Sequence, residues 1–372
     1  MNNQYPIRVL QIVGIVCGGG VEAVIMNYYR NINRDKVQFD FVIDGKEKSL
    51  LDDEIKRMGG RVYHVTPYKD NIIKYMCDIY HIIKKNKYDI IHDNMNTMSL
   101  FSLFPAWLAG AKIRIIHNHS TNEKAMEERC KYYLKKILRP FSPLFANQYV
   151  ACSKYAAEWM YGKRAIQLDK VKIINNAVDI EKFRFSVTAR KKLREELGVK
   201  EEVNVIGHIG RLVPQKNHMF LLDVFASYFK QNPASVLVMI GDGPLRENLE
   251  HKAKELKISD KVYFKGLRSD VNEWYSAMDV FLLPSLYEGL PVVGIEAQAN
   301  GVPVCLSSNI TKEVVINENV RYLPLVKEEW VKSINDLIRK RARKTLLEEN
   351  GFSIQNEAKK MECWYGSMVK EV

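Results

Sequence analysis

Short apolar runs alternate with longer amphipathic stretches along the first half of the chain. Strands of continuous Val and Ile separated by helices are typical of a parallel sheet covered on both faces. The predicted strands are Ile7–Val13, Phe39–Ile43, Arg61–Val65, Asp89–His92 and Lys112–His117. An amphipathic helix is predicted from Val21 to Arg30. The first half therefore predicts a doubly wound α/β domain.

The same alternation restarts in the second half. The predicted strands there are Val203–His208, Ser235–Ile240, Lys261–Phe264, Asp279–Leu283 and Pro303–Leu306. We expect an α/β protein with two Rossmann-like, doubly wound parallel-sheet domains that face each other across a cleft. Ligands of such sheets bind beyond the carboxyl ends of the strands.

The same pattern sets the expected boundaries. The first domain is predicted to cover residues 1–182 and the second residues 203–350, with a charged connector at 183–202. Residues 351–372 contain an amphipathic helix, which is predicted to pack back toward the first domain.

A glycine cluster follows the first strand. Gly18, Gly19, Gly20 and Ala23 fit the pattern G-x-G-x-x-A, and Asp44 ends the next strand. Glycines at this place let a phosphate approach the backbone at a helix N-terminus. The pattern fits a dinucleotide site, another phosphate site or a tight strand-to-helix turn.

Two basic residues lie in a loop of the second half that precedes a predicted helix. Arg211 and Lys216 follow the strand that ends at His208. Arginine offers a planar fork of donors and lysine a point charge, which together suit a diphosphate. Two solvated loop charges are the alternative interpretation.

Two carboxylates flank a second loop of this half. Glu288 and Glu296 enclose a segment that contains Gly289 and Pro291, and a helix is predicted to begin near Pro291. Backbone N–H groups at a helix start can face an anion, and carboxylates can accept hydrogen bonds from sugar hydroxyls. Two such loops in one domain indicate a phosphate- and sugar-binding site.

With these motifs the chain resembles the retaining nucleotide-sugar glycosyltransferases of family 4, which have the GT-B fold. The resemblance covers nearly the whole chain and is closest to enzymes of exopolysaccharide and capsule assembly. It rests on Gly18–Gly20, Ala151–Ser153, Asn175–Asp179, Gly210–Lys216, Gly241–Pro244, Phe264–Gly266 and Glu288–Glu296.

The resemblance implies roles for the second domain. Arg211 and Lys216 would hold the donor diphosphate, Glu288 the donor sugar and Glu296 the ribose. The backbone of Gly266 and Leu267 would contact the base. Amides of Leu290, Val292 and Val293 would complete the phosphate site.

The resemblance also implies roles for the first, acceptor-side domain. Gly19 and Gly20 would close over the phosphates, and a histidine that follows the apolar segment Lys112–Ile116 would contact the donor sugar. His117 and His119 are both candidates for that histidine. The implied reaction is a retaining transfer in which the leaving phosphate takes the acceptor proton. No D-x-D sequence occurs, so we expect no metal and no cofactor besides the nucleotide-sugar substrate, with UDP the expected carrier.

The excess of basic residues suits contact between the first half of the chain and an anionic membrane. The formal charge is +12, and residues 1–180 hold 27 basic and 18 acidic residues. Residues 112–139 hold eight basic and three acidic residues among aromatic ones, which suits an anionic membrane surface or a solvated helix face. Membrane contact would suit a lipid-linked glycan acceptor.

Other function classes remain as alternatives. The glycine cluster leaves an NAD-dependent dehydrogenase possible, and the fold is shared with sugar-nucleotide epimerases. The positive charge is modest and no nucleic-acid module is recognisable, so we expect no nucleic-acid partner. Six scattered cysteines and the lack of a long apolar run favour a cytoplasmic protein. The basic first half leaves peripheral contact with the inner face of the cell membrane open.

Overall fold

A computed structural model describes residues 6–16, 19–121 and 129–370 of the chain. It divides into two compact units. The first contains Met1–Ala177 together with Ile354–Val372, and the second contains Val178–Ser353.

The first unit is built on a parallel sheet of seven strands in the order β3-β2-β1-β4-β5-β6-β7. Its strands are β1 (Ile7–Val13), β2 (Val37–Asp44), β3 (Val62–Val65), β4 (Ile90–Asp93), β5 (Ile113–Asn118), β6 (Gln148–Ala151) and β7 (Val171–Ile173). Its helices up to this point are α1 (Gly20–Asn31), α2 (Asp52–Arg57), α3 (Ile72–Asn86), α4 (Leu100–Leu108), α5 (Arg129–Leu138), α6 (Lys154–Tyr161) and α7 (Lys163–Gln167).

Burial on both faces explains why the first strands were predictable. Every residue of β2 is buried, as are the last five of β1. The pattern missed β6 and β7, because β6 has four residues and begins with Gln148, whereas β7 has three residues and exposes Lys172.

The second unit holds a six-stranded sheet in the order β10-β9-β8-β11-β12-β13. Its strands are β8 (Asn204–Ile209), β9 (Ser235–Ile240), β10 (Val262–Phe264), β11 (Val280–Leu283), β12 (Val304–Ser307) and β13 (Val320–Leu323). Its helices are α8 (Ile180–Phe183), α9 (Val187–Glu196), α10 (His218–Gln231), α11 (Arg246–Glu255), α12 (Val271–Ala277), α13 (Val292–Asn300) and α14 (Lys327–Leu337). The first five strands match the predicted ones within one residue at each end, and β13 was not predicted.

The final helix, α15 (Ile354–Lys370), belongs to the first unit. It buries Ile354, Ala358, Met361, Tyr365 and Met368, which recur with helical spacing. Tyr365 is fully buried, and its ring meets that of Phe39 edge-on at 6.0 Å.

Residues 183–202, predicted as a connector, are part of the second unit. Helix α9 packs against α12 there, and Arg194 is buried beside Asp279 with 3.2 Å between Nη1 and Oδ2. The charged sequence of this segment gives no sign of that buried ion pair. The N-terminal segment of the first unit ends at Ala177, five residues before the predicted boundary at residue 182.

Candidate active site

In the second unit, the loop that carries Arg211 and Lys216, which we call the Arg/Lys loop, meets the loop that carries Glu288, which we call the Glu loop. They meet where the strand order of the sheet reverses. Strand β8 pairs with β9 on one side and with β11 on the other. The Arg/Lys loop follows β8, and the Glu loop follows β11. Ligands of open α/β sheets bind at such a reversal, beyond the carboxyl ends of the strands.

Two glycines shape the floor of the Arg/Lys loop. Gly241 and Gly243 have φ angles of +129° and +159°. A Cβ on Gly241 would overlap the carbonyl oxygen of Gly210, and one on Gly243 would lie 2.6 Å from that of Leu212. Both positions therefore require glycine, and the segment after β9 supports the loop that carries Arg211.

Direct hydrogen bonds join the two loops. The amide of Leu286 donates to the carbonyl oxygen of Gln215 at 2.8 Å. The side-chain amide of Gln215 donates to the carbonyl oxygen of Tyr287 at 3.0 Å. These bonds fix Lys216 and Glu288 in position relative to each other.

Lys216 and Glu288 form an ion pair. The Lys216 Nζ lies 2.6 Å from Oε1 of Glu288, and both side chains are largely buried. The methylene stem of Lys216 passes over Gly210, where a Cβ would lie 3.3 Å from Cε. The site thus holds a cation and a carboxylate in contact, with little access to water.

Arg211 behaves differently from Lys216. Its side chain is exposed, and no hydrogen bond or ion pair joins it to another residue that the structure describes. The guanidinium is therefore available to a ligand at the edge of the loop.

Glu296 lies on the second turn of α13 and is bonded to a tyrosine. The Tyr275 hydroxyl donates to Oε2 of Glu296 at 2.8 Å. Burial raises the pKa of Glu296 to about 7, although the positive charges of Lys182 and Lys216 oppose the shift. Tyr275 comes from α12, and no feature of the sequence pattern pointed to it.

The N-terminus of α13 contributes backbone amides. Val292 and Val293 form its first turn after Pro291, and the amides of a first turn have no partner within their helix. Leu290 and Val292 are buried, whereas Val293 is half-buried. The geometry is that of a helix start able to receive an anion.

Gly266 and Leu267 lie beside the same edge of the sheet. The Gly266 carbonyl oxygen accepts a bond from the Gly241 amide at 2.9 Å, and Gly266 has a φ of +64°. The Leu267 side chain is 68% exposed. The turn therefore adjoins the Arg/Lys loop through Gly241.

Two buried histidines beneath Lys216 were not predicted as site residues. The rings of His208 and His218 meet edge-on at 4.6 Å. Burial lowers the pKa of His208 to about 4 and that of His218 to about 2, and the nearby charge of Lys216 adds to both shifts. Both rings are therefore neutral at pH 7.

In the first unit, the glycine cluster stands at the corresponding reversal between β1 and β4. Gly18 lies outside the described residues, Gly19 caps α1 and Gly20 is its first residue. The Glu22 carboxylate occupies the space beside Gly19, since a Cβ there would lie 2.5 Å from Oε2. Asp44, the acidic residue of the possible dinucleotide pattern, is buried at the end of β2.

His117 and His119 are neighbours in the first unit. Their ring centroids are 3.8 Å apart, and 3% of His117 and 7% of His119 is exposed. Burial lowers the pKa of His119 to about 3 and that of His117 well below its usual value. Both imidazoles are therefore neutral, so each has one N–H donor and one acceptor nitrogen.

The basic stretch of the first unit carries exposed apolar side chains. Tyr133, Ile137, Phe141 and Leu144 are between 54% and 66% exposed, and Lys136 is exposed among them. We call these five residues the apolar–basic strip. Residues 122–128 of this stretch and the side chains of Lys131 and Tyr132 lie outside the described residues. Among the described residues, no helix has the length and apolar character to cross a membrane.

Both halves of the chain match models of known protein families. The model of Glycosyltransferase Family 4 matches residues 18–182, and that of Glycosyl transferases group 1 matches residues 189–353. The chain is 32% identical over 309 residues to a protein named putative glycosyltransferase EpsF from Bacillus subtilis (strain 168), covering 82% of this chain and 80% of that protein.

A second relative has a more specific name. The chain is 28% identical over 371 residues to the UDP-Gal:alpha-D-GlcNAc-diphosphoundecaprenol alpha-1,3-galactosyltransferase of Escherichia coli, covering 94% of each. Among solved structures, HepE of Anabaena in complex with UDP and glucose superposes with a TM-score of 0.78 at 19% identity, over 97% of this chain and 100% of that one. At that identity the likeness concerns the fold.

Proposed function

The chain belongs to glycosyltransferase family 4, the glycosyl transferases of group 1, and on this premise we propose that it transfers a sugar with retention from a UDP-sugar to a lipid-linked glycan. Its two parallel-sheet units have the GT-B fold. The family membership favours this function over the dehydrogenase that the glycine cluster also fits. The transfer would serve the assembly of a cell-surface polysaccharide.

One observation carries the proposal. Lys216, Glu288 and the start of α13, the helix that carries Glu296, converge where the strand order of the second sheet reverses. A nucleoside diphosphate sugar presents an anion flanked by hydroxyl-rich rings. The site offers donors for the anion and carboxylates for the hydroxyls.

In this proposal, Arg211 and Lys216 bind the diphosphate together with the amides of Leu290, Val292 and Val293. Arg211 is exposed and unpaired within the described residues, so it can reach the phosphates without breaking a contact. Lys216 would exchange Glu288 for a phosphate oxygen, and the released carboxylate would accept hydrogen bonds from the donor sugar. The positive groups would also stabilise the diphosphate as it leaves.

Glu296 would bind the ribose and the backbone of Gly266 and Leu267 the base. The carboxylate of Glu296 accepts a bond from Tyr275, which orients it, and its other oxygen would be available for a ribose hydroxyl. The choice of UDP is supported by the solved HepE complex with UDP and by the E. coli relative, which acts on UDP-Gal.

The chemical step would need no metal and no enzyme nucleophile. We propose that a leaving phosphate oxygen takes the proton of the acceptor hydroxyl, while the new C–O bond forms on the face from which the diphosphate departs. The glycine loop with Gly19 and Gly20 would shield the phosphates, and His117 and His119 would contact the donor sugar.

The acceptor side of the proposal rests on the apolar–basic strip. Exposed aromatic and aliphatic side chains next to lysines suit the interface of an anionic bilayer. The E. coli relative acts on a diphosphoundecaprenol-linked sugar, which is a membrane lipid. Docking of the strip would bring the enzyme to an acceptor of that kind and make it peripheral at the membrane.

The proposal is tested by incubating the protein with UDP-glucose or UDP-galactose, with and without a sugar-diphospho-lipid acceptor. We expect a glycosylated lipid only when acceptor is present, with the α-configuration of the donor retained in the anomeric proton coupling. A product of inverted configuration would refute retention. Interconversion of the two UDP-sugars without acceptor would instead indicate an epimerase.

A further inference from the structure

A chain of hydrogen bonds runs from the core of the first unit to His117. It consists of Gln11 on β1, Tyr365 on α15, His92 on β4 and His117 on β5, which we call the histidine–tyrosine chain. All four side chains are buried. Since none of the rings is charged at pH 7, each bond has a definite donor, and the directions can be derived from backbone groups.

Asn94 sets the starting direction. Its Nδ2 lies 3.3 Å from the carbonyl oxygen of Ile12 and 3.2 Å from that of His92. A carbonyl oxygen can only accept, so the NH₂ group of Asn94 must face this side. The same NH₂ group donates to Oε1 of Gln11 at 3.1 Å.

The orientation of Gln11 follows from that of Asn94. Because Oε1 of Gln11 accepts from Asn94, its NH₂ group points the other way and donates to the Tyr365 hydroxyl at 3.3 Å. The hydroxyl proton of Tyr365 is then directed to Nδ1 of His92, 2.6 Å away. If His92 donated instead, the Tyr365 proton would have no acceptor.

The tautomer of His117 follows in turn. With Nδ1 of His92 accepting, the ring carries its proton on Nε2 and donates to Nδ1 of His117 at 3.0 Å. Consequently, His117 carries its proton on Nε2. That nitrogen is buried and has no hydrogen-bond partner among the described residues.

His119 receives the complementary assignment from the same asparagine. Its Nε2 lies 2.9 Å from Oδ1 of Asn94, an oxygen that can only accept, so Nε2 carries the proton. Its Nδ1 is left as an acceptor, and it too is buried without a partner among the described residues. The two adjacent rings thus present one unused N–H donor and one unused acceptor.

We propose that Gln11 and Tyr365 are positioning residues that hold the proton of His117 on Nε2, so that His117 donates to and His119 accepts from a polar oxygen of the donor sugar. A sugar hydroxyl is both donor and acceptor and can satisfy this pair. The inference rests on the proposed function, which supplies the sugar. It gives α15, the last helix of the chain, a role in orienting the site of the first unit.

The test begins with NMR of the full-length protein labelled with ¹⁵N-histidine, without donor. We expect a slowly exchanging proton on Nε2 of His92 that shows scalar coupling across the hydrogen bond to Nδ1 of His117. His117→Gln and His92→Gln variants assign the signals. A proton found on Nδ1 of His117 would overturn the inference, because the chain would then run in the opposite direction.

Variants connect the chain to the reaction. Tyr365→Phe should abolish the coupling between His92 and His117 and lower kcat about tenfold, with the donor KM changed less than twofold. Tyr75→Phe is the matched control, because Tyr75 is also a fully buried tyrosine of the first unit and does not belong to the histidine–tyrosine chain. It should leave both the coupling and kcat unchanged.

The outcomes separate the inference from the proposed function. Wild-type kcat and an unchanged His92–His117 coupling in Tyr365→Phe would overturn the positioning role even if the enzyme transfers sugar. Equal losses in Tyr365→Phe and Tyr75→Phe would reduce the role of Tyr365 to general stability and would also overturn it. If wild-type protein neither binds nor transfers a UDP-sugar, the proposed function fails, although the coupling in the free protein is still observed.

Discussion

The ammonium group of Lys216 lies 2.6 Å from a carboxylate oxygen of Glu288. Both residues come from loops that follow adjacent strands, and hydrogen bonds of Gln215 hold these loops together. The ion pair places a phosphate-binding cation next to a hydroxyl-binding carboxylate. In the proposed function, a nucleotide sugar separates the two groups and gives each its own partner.

Lys216→Ala should therefore weaken UDP binding at least tenfold and lower kcat/KM at least a hundredfold, because the charge also stabilises the leaving diphosphate. Calorimetry and initial rates measure the two effects. Lys230→Ala is the control, since Lys230 is an exposed lysine in the last turn of α10. Near-normal turnover of Lys216→Ala would refute the role of the Arg/Lys loop.

Arg211→Ala should separate binding from stability. The exposed guanidinium makes no hydrogen bond or ion pair with other described residues, so its loss should leave Tm unchanged. UDP affinity should nevertheless fall about tenfold or more, and Arg211→Lys should restore part of it. Arg343→Ala, at another exposed arginine of the second unit, should change neither quantity. A large drop in Tm for Arg211→Ala would contradict the structure.

Glu296→Gln should change how stability depends on pH. The pKa of Glu296 is about 7 in the folded protein and near 4.5 when unfolded, so the folded state holds the extra proton between these values. The contribution of Glu296 to the free energy of unfolding is fully present below pH 4.5 and is lost as the pH rises to about 7. Compared with wild type, Glu296→Gln should be equally stable near pH 4 and more stable at pH 8, by up to about 3 kcal/mol.

Chemical denaturation of both proteins at several pH values measures this difference. The same variant should bind UDP more weakly at pH 8, because an amide replaces the ribose-binding carboxylate. As the pH drops below 7, wild-type affinity should fall more steeply than that of Glu296→Gln, because protonation of the UDP phosphate weakens both while protonation of Glu296 weakens only the wild type. A pH-independent stability difference would contradict the raised pKa, and an unchanged donor KM would contradict the ribose role.

The apolar–basic strip predicts binding to anionic membranes. Phe141→Ser combined with Leu144→Ser should reduce co-sedimentation with phosphatidylglycerol vesicles, because these two side chains are 54% and 66% exposed in a segment that also exposes Lys136. Leu50→Ser combined with Ile73→Ser is the control, since these side chains lie elsewhere in the first unit and are more exposed, at 78% and 72%. Equal binding by all three proteins would rule out the strip as the membrane contact.

Much of the fold was predictable because apolar runs such as those of β1 and β9 are buried over most of their length. Strands β6, β7 and β13 were missed because they have four residues or fewer and include polar or exposed positions. The segment 183–202 was interpreted as a connector because charge patterns do not reveal a buried pair such as Arg194 and Asp279.

The candidate site likewise contains residues that the sequence predicted and residues that it did not. Arg211, Lys216, Glu288 and Glu296 lie in short continuous motifs, so their loops could be recognised without a structure. Hydrogen-bond partners that come from other parts of the chain could not be recognised from the sequence. Tyr275 is 21 positions from Glu296, and Tyr365 is 273 positions from His92. Only folding brings those hydroxyls to their partners.

The central claim is that the second unit binds a nucleoside diphosphate without metal. Calorimetric titration of the purified protein with UDP, GDP, ADP and NAD⁺, in the presence of EDTA, tests it most directly. We predict selective binding of UDP, weakened at least tenfold in Lys216→Ala and retained in Lys230→Ala. Binding of NAD⁺ alone, or of no nucleoside diphosphate in EDTA, would contradict the claim.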